Sequence, residues 1–331
     1  MAPPPVRTVG VAVGKFNPPH LGHLHLIRTG ASMVERMYVL LCDRDDQTLP
    51  AADRVAWLRD AVPDNVSVIV TPDDLPAANA PWAARTLAAI PEPPDLAVTS
   101  EPWGDEWAAL MGASHHRVDL QREAFPTSGT ALRADLGANF GWLVPAARVA
   151  LARRIVIVGA ESTGKSTMAE ALAAATGSVW VPEHGRWYWE GRRYRPDQSW
   201  DTDEFHRIAA AQRRLEDDMA RLSTNGVVIA DTDALVTAVW HERYLGSSDQ
   251  HLDELASRQR PDLYLVCADD FAWVQDGTRE SRDERASMQR SIEARTGASG
   301  ARVVVLRGPH EQRVETALDA IAPLRTFPPL V

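Results

Sequence analysis

Short apolar runs alternate with longer stretches of helical periodicity along the first half of the chain. Apolar runs that fit buried strands lie at residues 7–13, 37–42, 66–70, 96–99 and 118–120. Apolar positions three and four residues apart predict helices at 21–33 and 51–61. Strands separated by helices in this way are typical of βα units in a largely parallel sheet. The proline-rich pieces at 72–81 and 91–94 are interpreted as loops between these elements.

The same pattern restarts near residue 150. Strand-like runs lie at 155–158, 227–230, 263–267 and 303–306, one helix is predicted to reach residue 175, and a long amphipathic helix spans 202–222. We therefore predict an α/β protein made of two doubly wound parallel-sheet domains, residues 1–150 and 151–331. The length of 331 residues fits two domains, because a single core rarely extends so far.

Charge and composition narrow the function classes. A net charge of −10 and a pI near 5.5 argue against a protein that binds nucleic acid mainly through its phosphates. No apolar stretch approaches the roughly twenty residues of a membrane-spanning helix, and the first residues lack the apolar core of a signal peptide. Both cysteines lie in apolar runs, which indicates buried thiols in a reducing compartment. We expect a soluble, cytoplasmic protein, and a homo-oligomer stays open.

Lysine is almost absent from the chain. Of 35 basic residues only Lys15 and Lys165 are lysines, and each lies in a glycine-containing turn directly after a strand-like run. A compact ammonium on a flexible stem can reach a phosphate from such a turn. The positions of the two lysines therefore indicate two candidate phosphate sites.

The turn around Lys165 has the spacing of a phosphate-binding loop, Gly159-Ala-Glu-Ser-Thr-Gly-Lys-Ser166, between a predicted strand and a predicted helix. In such a loop the backbone N–H groups surround the β-phosphate, the lysine adds a positive charge, and the serine hydroxyl binds Mg²⁺. We expect the phosphates of a nucleotide to bind here. The candidate residues are Gly159, Glu161, Ser162, Thr163, Gly164, Lys165, Ser166 and Thr167.

Two further polar stretches follow in the second half. Asp231 and Asp233 come after the strand at 227–230, where either can hold Mg²⁺ or accept a proton from a substrate hydroxyl. The alternative for either residue is a helix N-cap. Arg279 lies in the charged stretch 276–285, which can be a lid that brings arginine to the transferring phosphoryl group, or a solvated loop.

The turn around Lys15 contains two histidines in the stretch Gly14-Lys-Phe-Asn-Pro-Pro-His20-Leu-Gly-His23. Imidazoles beside a lysine suit triphosphate oxygens and the charge on a pentacoordinate α-phosphate, without a covalent intermediate. A zinc site is not expected, because no cysteine or acid lies at ligand spacing. A second polar turn, Thr127-Ser-Gly-Thr-Ala-Leu-Arg133, can bind the phosphates that leave as pyrophosphate, although alone it fits a capped helix equally well. The candidate residues are Gly14, Lys15, Phe16, His20, His23, Ser128, Thr130 and Arg133.

These motifs together resemble known enzymes. GKFNPPHLGH and SGTALR resemble the motif pair of the HxGH nucleotidyltransferase superfamily, in particular the nicotinamide-mononucleotide adenylyltransferases, and residues 99–104 resemble their S-E-P-x-G segment. The second half resembles a ribosylnicotinamide kinase domain in its Gly159 loop, Glu183-His-Gly-Arg186, Asp231-Thr-Asp233 and Asp276-Gly-Thr-Arg279. A transferase followed by a kinase is the order in the bifunctional NadR-type proteins, and the resemblance covers nearly the whole chain.

The resemblance implies two consecutive reactions. A kinase would phosphorylate nicotinamide riboside with ATP, and an adenylyltransferase would join the resulting mononucleotide (NMN) to AMP from a second ATP, giving NAD and pyrophosphate. The catalytic residues it implies are His20, His23, Arg133, Lys165 and Asp231, with Asp231 at the riboside hydroxyl and Mg²⁺ on Ser166 and Asp231. The substrate-binding residues it suggests are Glu183, Arg186, Asp233, Trp82 and Trp103. Trp82 and Trp103 are candidates for base stacking in the transferase half, and the aromatic run 187–189 is a candidate for stacking on nicotinamide in the kinase half. Packing is the alternative role for all of them.

The chain departs from the family in one respect. Some NadR-type proteins begin with a helix-turn-helix repressor domain, whereas here the first predicted strand starts within about ten residues of Met1, so DNA repression is not expected. Two alternatives to the bifunctional enzyme remain. The same fold can act on another mononucleotide acceptor, such as nicotinate mononucleotide or a pantetheine phosphate. The chain can also be a nucleotide-sensing module with an inactive site, although its full set of catalytic residue types argues against this.

Overall fold

The chain forms two compact units. The computed structural model describes residues 8–194, 198–258, 260–270 and 282–331. One unit comprises Met1–Ala150 together with Phe327–Val331, and the other comprises Leu151–Thr326. The second domain predicted at 151–331 therefore includes residues 327–331, which pack in the first unit. Their contacts include the ring of Phe140 and the carbonyl of Arg133.

A five-stranded parallel sheet forms the centre of the first unit. Its strands are β1 Val9–Gly14, β2 Arg36–Asp43, β3 Val66–Pro72, β4 Leu96–Thr99 and β5 Ser114–Arg117, in the order β3-β2-β1-β4-β5. The helices are α1 Leu21–Ala31, α2 Ala51–Arg59, α3 Asn79–Ala89, α4 Gly104–Met111, α5 Gly129–Ala134, α6 Leu136–Asn139 and α7 Pro145–Leu151. The chain reverses direction across the sheet between β1 and β4. In open α/β sheets, ligands bind at the strand ends beside such a reversal.

The fifth strand of this sheet lies earlier than predicted. The sequence pattern placed it at 118–120, but Ser114–Arg117 pairs with β4, from Leu96 opposite Ser114 to Thr99 opposite Arg117. An edge strand has one neighbour and one solvated side, so the polar run Ser-His-His-Arg can occupy it. Backbone pairing rather than apolar sequence defines this strand.

The second unit repeats the architecture. Its strands are β6 Arg153–Val158, β7 Val179–Val181, β8 Val227–Asp231, β9 Leu263–Cys267 and β10 Arg302–Leu306, all parallel in the order β10-β9-β6-β8-β7. The helices are α8 Lys165–Thr176, α9 His184–Arg192, α10 Thr202–Leu222, α11 Ala234–Leu245, α12 Gln250–Arg258, α13 Arg282–Ala298 and α14 His310–Ile321. The predicted fold class, two doubly wound parallel-sheet domains, is confirmed.

The central strands of both sheets are buried on both faces, which explains their continuous apolar runs. In the second unit Ile155, Ile157 and Leu265 are fully buried together with apolar residues of α8 and α14. Among the described helices, none combines the length and the apolar character that crossing a membrane requires. Because the central strands are fixed in the core, the polar turns at their ends are held in defined positions.

Candidate active sites

The turn after β1 brings its two histidines into contact. His20 caps the N-terminus of α1: its Nδ1 accepts from the backbone N–H of His23, and Nδ1 of His23 accepts from the backbone N–H of His20, both at 3.4 Å. The two rings stack with centroids 3.6 Å apart. Phe16, a buried residue with φ of 47°, packs its ring edge-on against His23 at 4.8 Å. The H-x-G-H spacing thus produces a reciprocal cap as well as a pair of aligned imidazoles.

Both imidazoles are neutral at pH 7. Burial, followed by the nearby charge of Arg122, lowers the pKa of His20 to about 4. Burial, His20, Arg122 and Arg133 lower the pKa of His23 well below its usual value. A neutral imidazole whose Nδ1 accepts a hydrogen bond carries its proton on Nε2. Each ring therefore keeps one N–H donor for an incoming anion.

The second predicted turn lies beside the first. Ser128 caps α5 by accepting from the N–H of Ala131 at 3.1 Å. The guanidinium of Arg133 donates to the carbonyl of Asn17 at 2.8 Å and to the hydroxyl of Thr130 at 3.2 Å. Arg133 therefore joins the two motifs that the sequence placed more than a hundred residues apart. Through Arg133 the Thr130 hydroxyl is thus connected to the turn that carries His20.

Lys15 is paired with an acid that the sequence analysis missed. Its ammonium lies 3.0 Å from a carboxylate oxygen of Asp73, at the end of β3. The backbone of the turn is held by Arg54, whose buried guanidinium donates to the carbonyl of Lys15 at 2.7 Å and forms an ion pair with Asp43. Gly14 allows the close approach of the Phe16 ring, which would lie 3.2 Å from an added Cβ. Arg54 has the sequence pattern of an ordinary helical arginine, so no local signal marks it.

A second missed cation lies near the histidines. Arg122 forms an ion pair with Glu101 at 3.0 Å and donates to the carbonyl of Thr127 at 3.3 Å, so it connects the S-E-P-x-G segment to the SGTALR turn. Its charge contributes to the low pKa of both histidines. This arginine falls between two motifs and belongs to neither, which is why the sequence pattern did not identify it.

The two tryptophans proposed for base stacking have packing contacts. Trp82 packs, partly buried, against the core cluster around Val11 and Leu40. Trp103 is 41% exposed and meets the buried Trp107 edge-on at 5.7 Å. The described contacts give Trp82 a role in packing, while Trp103 keeps a largely open face.

The phosphate loop of the second unit has the backbone that its glycines predict. Gly159 has φ of 151°, and a Cβ there would lie 2.7 Å from both the Cys267 carbonyl and the Thr163 hydroxyl, so only glycine fits. Thr163 is buried and donates to the Ala160 carbonyl at 2.9 Å, which Lys165 also contacts through its ammonium at 3.1 Å. The loop then opens α8 at Lys165, where helix N–H groups and the lysine can bind phosphate oxygens.

Three buried side chains from helices late in the chain form hydrogen bonds to the backbone of this loop. Gln289 of α13 accepts from the N–H of Ala160 at 2.8 Å. Arg285, also of α13, donates to the carbonyl of Glu161 at 3.1 Å, and Arg313 of α14 donates to the carbonyl of Thr163 at 3.3 Å. Arg285 ends the charged stretch 276–285, in which arginine was predicted to reach the phosphoryl group, and here it binds the loop backbone instead. Gln289 and Arg313 were not predicted, because helices more than a hundred residues downstream supply them.

Ser166 and Asp231, the two residues predicted to hold magnesium, are in contact. The Ser166 hydroxyl donates to Oδ2 of Asp231 at 2.5 Å. Asp231 is 1% exposed, and within the described residues its Oδ1 has no hydrogen-bond partner. A buried carboxylate with one free oxygen beside a hydroxyl fits Mg²⁺, which in nucleotide sites takes one or two carboxylates and completes its shell with phosphate oxygens and water.

Asp233 is a helix N-cap, which was the alternative role that its sequence position left open. Its Oδ1 caps α11 by accepting from the N–H groups of Leu235 and Val236, and its Oδ2 accepts from the Tyr264 hydroxyl at 2.6 Å. Burial raises its pKa. Because both oxygens are engaged inside the unit, the geometry contradicts the substrate-binding role predicted for Asp233.

A cavity of about 530 Å³ extends from the phosphate loop. Its walls include, from the loop, Glu161, Ser162, Gly164, Lys165, Ser166 and Thr167, then Glu183 and Arg186, and the aromatic residues Trp189, Trp200, Phe205, Trp240 and Tyr244. Within the aromatic wall, Trp200 lies 5.3 Å from Tyr244, and Trp240 stacks on Tyr244 at 5.7 Å. Polar phosphate chemistry at one end and aromatic rings at the other suit a nucleoside whose hydroxyl faces the loop.

Glu183 has an environment suited to proton transfer. Burial raises its pKa, and the charges of Asp231 and Glu161 act in the same direction, while Lys165 and Arg186 oppose them. A carboxylate with a raised pKa is a better base near neutral pH than an ordinary one.

The other aromatic and basic candidates of this unit differ in their placement. Of the run 187–189, Trp189 lines the cavity, Tyr188 donates to Glu204 at 3.1 Å, and Trp187 is exposed. Arg279 lies outside the described residues.

Known proteins share both halves of this arrangement. A family model described as cytidylyltransferase-like matches residues 11–92, and one described as an AAA domain matches residues 154–313. The trifunctional NAD biosynthesis/regulator protein NadR of Escherichia coli K12 is 25% identical over 295 residues, which are 82% of this chain and 72% of that protein. The protein of the same name from Salmonella typhimurium LT2 is 24% identical over the same shares.

Two solved structures of NadR have the same two-unit fold. The complex with NR aligns with a TM-score of 0.69, and the complex with NAD and AMP-PNP aligns with a TM-score of 0.66. Each is 21% identical, and the alignment covers 96% of both chains.

Proposed function

The chain is homologous to the NadR proteins over most of its length, and on that premise we propose a bifunctional enzyme of NAD biosynthesis. It phosphorylates nicotinamide riboside with ATP to give NMN, and it adenylylates NMN with a second ATP to give NAD and pyrophosphate. The curated relatives are named for NAD biosynthesis, and the two aligned structures contain NR, NAD and an ATP analogue. The enzyme is thus a nucleotidyltransferase and a kinase in one chain.

The kinase reaction takes place in the cavity of the second unit. The riboside lies with its nicotinamide among Trp189, Trp200 and Tyr244 and its 5′-hydroxyl toward the phosphate loop. The hydroxyl oxygen attacks the γ-phosphorus, the bond from that phosphorus to the β,γ-bridging oxygen breaks, and ADP leaves. Lys165 stabilises the charge on the transferring group.

Proton transfer and metal binding divide between two carboxylates, Glu183 in the cavity wall and Asp231 beside Ser166. Asp231 and Ser166 would hold Mg²⁺, whose chemistry would be to neutralise charge on the triphosphate. With Asp231 in that role, Glu183 with its raised pKa is the residue that accepts the proton of the 5′-hydroxyl.

Adenylyl transfer takes place at the paired turns of the first unit. A phosphate oxygen of NMN attacks the α-phosphorus of ATP, and the bond to the α,β-bridging oxygen breaks to release pyrophosphate. The attacking group is already ionised, so the step needs no general base. The Nε2–H groups of His20 and His23 donate to the α-phosphate, and Arg133 with the Ser128 and Thr130 hydroxyls binds the β- and γ-phosphates, with Lys15 beside them.

The observation that carries the proposal is the aromatic cavity that opens directly onto the phosphate loop at Ser166, whose hydroxyl donates to Asp231. An ATPase without a nucleoside acceptor needs no such wall of rings.

The experiment separates the two reactions by substitution in the full-length chain. Lys165→Ala should abolish riboside phosphorylation and leave NMN adenylylation within about twofold, whereas His23→Ala should do the reverse; removing a group that stabilises transition-state charge typically costs about 10²–10³ in rate. Products are separated by chromatography, and circular dichroism verifies that each variant is folded. Loss of both activities from either change in a folded protein would refute the two-site assignment.

A further inference from the structure

The last five residues of the chain pack onto the transferase unit, although they follow the second unit in sequence. We call residues 327–331 the C-terminal segment. Its Phe327 ring lies 5.5 Å from the ring of the fully buried Phe140. Pro328 and Pro329 come next, and because proline has a fixed φ, ordering this stretch costs less entropy than ordering other residues would. The segment is thus anchored at one end and stiff in its middle.

Its far end binds the turn that carries the histidines. The side-chain N–H of Asn17 donates to the Val331 carbonyl at 2.8 Å, and Asn17 is 3% exposed. The backbone carbonyl of Asn17 in turn accepts from the Arg133 guanidinium at 2.8 Å. Within the described residues Oδ1 of Asn17 has no hydrogen-bond partner, so the bond to Val331 is the one hydrogen bond that its side chain makes there. An unpaired buried amide is costly, so this bond favours one position of the turn.

The segment also binds the second turn and the loop that precedes α2. The Leu330 N–H donates to the carbonyl of Arg133 at 3.0 Å. Arg133 is therefore held through its side chain by Asn17 and through its backbone by Leu330. Val331 and Thr48 exchange two hydrogen bonds, from the Val331 N–H to the Thr48 hydroxyl at 2.8 Å and from the Thr48 N–H to the Val331 carbonyl at 3.2 Å.

We propose that the C-terminal segment is a positioning element of the adenylyl-transfer site, which fixes the Asn17 turn and Arg133 relative to each other for the triphosphate. The inference rests on the proposed function for the identity of the reaction. No residue of the segment touches the reacting atoms in this account. It acts through Asn17 and Arg133, so its loss should weaken the binding and orientation of ATP in the transferase site and leave the kinase reaction unchanged.

A matched pair of substitutions isolates one contact. Leu330→Pro removes the N–H that binds Arg133, whereas Leu330→Ala shortens the side chain and keeps the N–H. Loss of one such bond corresponds to about a fivefold effect. We expect Leu330→Pro to raise the KM for ATP in NMN adenylylation about fivefold with the KM for NMN within about twofold, and Leu330→Ala to stay near wild type. A chain that ends at Thr326 should lose more, about tenfold or greater. Riboside phosphorylation in the same samples is the internal control.

The measurement is made at a temperature where circular dichroism finds every variant fully folded, because a purely stabilising role would then leave the KM for ATP unchanged. Wild-type KM values in both Leu330→Pro and the shortened chain would overturn the inference. So would equal losses in the two reactions. If the wild-type chain forms no NAD, the proposed function fails instead. The segment is then tested by the affinity for AMP-PNP in a Lys165→Ala background, where Leu330→Pro must still bind more weakly than Leu330→Ala.

Discussion

Replacing Asp231 by Asn should remove kinase activity without destabilising the fold. Asp231 is buried, and its carboxylate accepts one hydrogen bond, from Ser166, within the described residues. A buried negative charge with so few partners is costly in the free protein. Asparagine has nearly the same shape and can still accept from the Ser166 hydroxyl, but it cannot offer a charged oxygen to Mg²⁺.

The two effects can be given magnitudes. Loss of a metal ligand that stabilises transition-state charge is worth about 3 kcal/mol, which lowers kcat/KM for the riboside about 100-fold. The free energy of unfolding should stay the same or rise by up to about 1 kcal/mol, because a poorly compensated buried charge has been removed. Activity and stability therefore move independently.

Asp233, two residues away, provides the control, because its replacement should lower the stability and leave the kinase activity nearly unchanged. Asp233→Ala removes the N-cap of α11 and leaves the buried Tyr264 hydroxyl without its acceptor, which should lower the free energy of unfolding by about 2–4 kcal/mol. In the folded fraction its kinase kcat/KM should stay within about threefold of wild type, since both oxygens face the interior of the unit. Urea unfolding followed by circular dichroism and a coupled ADP assay measure the two quantities.

Four numbers then decide the assignment. If Asp231→Asn loses stability as Asp233→Ala does and retains its kinase activity, the metal role of Asp231 is wrong. If Asp233→Ala is inactive while fully folded, the cap is also part of the substrate site, and our correction of the sequence prediction fails. NMN adenylylation should be unchanged in both variants.

Two further predictions concern the turns at the two sites. The folded pKa of His20, about 4, lies below its unfolded value of 6.5, so its neutral form contributes stability that is complete above pH 6.5 and is lost as the pH falls toward 4. Between pH 7 and pH 4.5 the free energy of unfolding, measured with urea, should therefore fall by about 2–3 kcal/mol less in His20→Asn, which keeps a capping group, than in wild type. An equal fall in the two proteins would contradict the assignment. Gln289→Leu removes the acceptor for the Ala160 N–H and should raise the kinase KM for ATP about fivefold without affecting adenylylation. Steady-state kinetics of both reactions test this, and an unchanged KM would mean that the loop does not need this support.

The parts of the sites that sequence predicts are those whose geometry is local. Gly159 requires glycine because of its own φ and the hydroxyl of Thr163 in the same loop, and His20 and His23 form their reciprocal cap within one turn of helix. The chemistry at these positions depends on spacing along the chain, so the motifs carry it. The fold class followed from the same source, since buried parallel strands are apolar throughout.

The parts that sequence does not predict depend on contacts between distant segments. The aromatic wall of the cavity combines Trp189, Trp200, Phe205, Trp240 and Tyr244 from three helices and a loop. Its members share no spacing, and each alone fits an ordinary core residue.

The same limit applies to single supporting residues. Gln289 and Arg313 hold the phosphate loop from helices late in the chain. Asp233 shows the converse, since an aspartate only two residues from Asp231 in sequence caps a helix and accepts from the Tyr264 hydroxyl.

The most direct test of the central claim is a labelling experiment on the wild-type chain with Mg²⁺, nicotinamide riboside and ATP. With label in the γ-phosphate, our account predicts labelled NMN followed by labelled NAD. With label in the α-phosphate, it predicts unlabelled NMN and labelled NAD. When NMN replaces the riboside, γ-label should appear in pyrophosphate and be absent from NAD. With nicotinamide riboside as the substrate, failure of γ-label to reach NAD, or the appearance of α-label in NMN, would contradict a kinase step followed by adenylyl transfer in this chain.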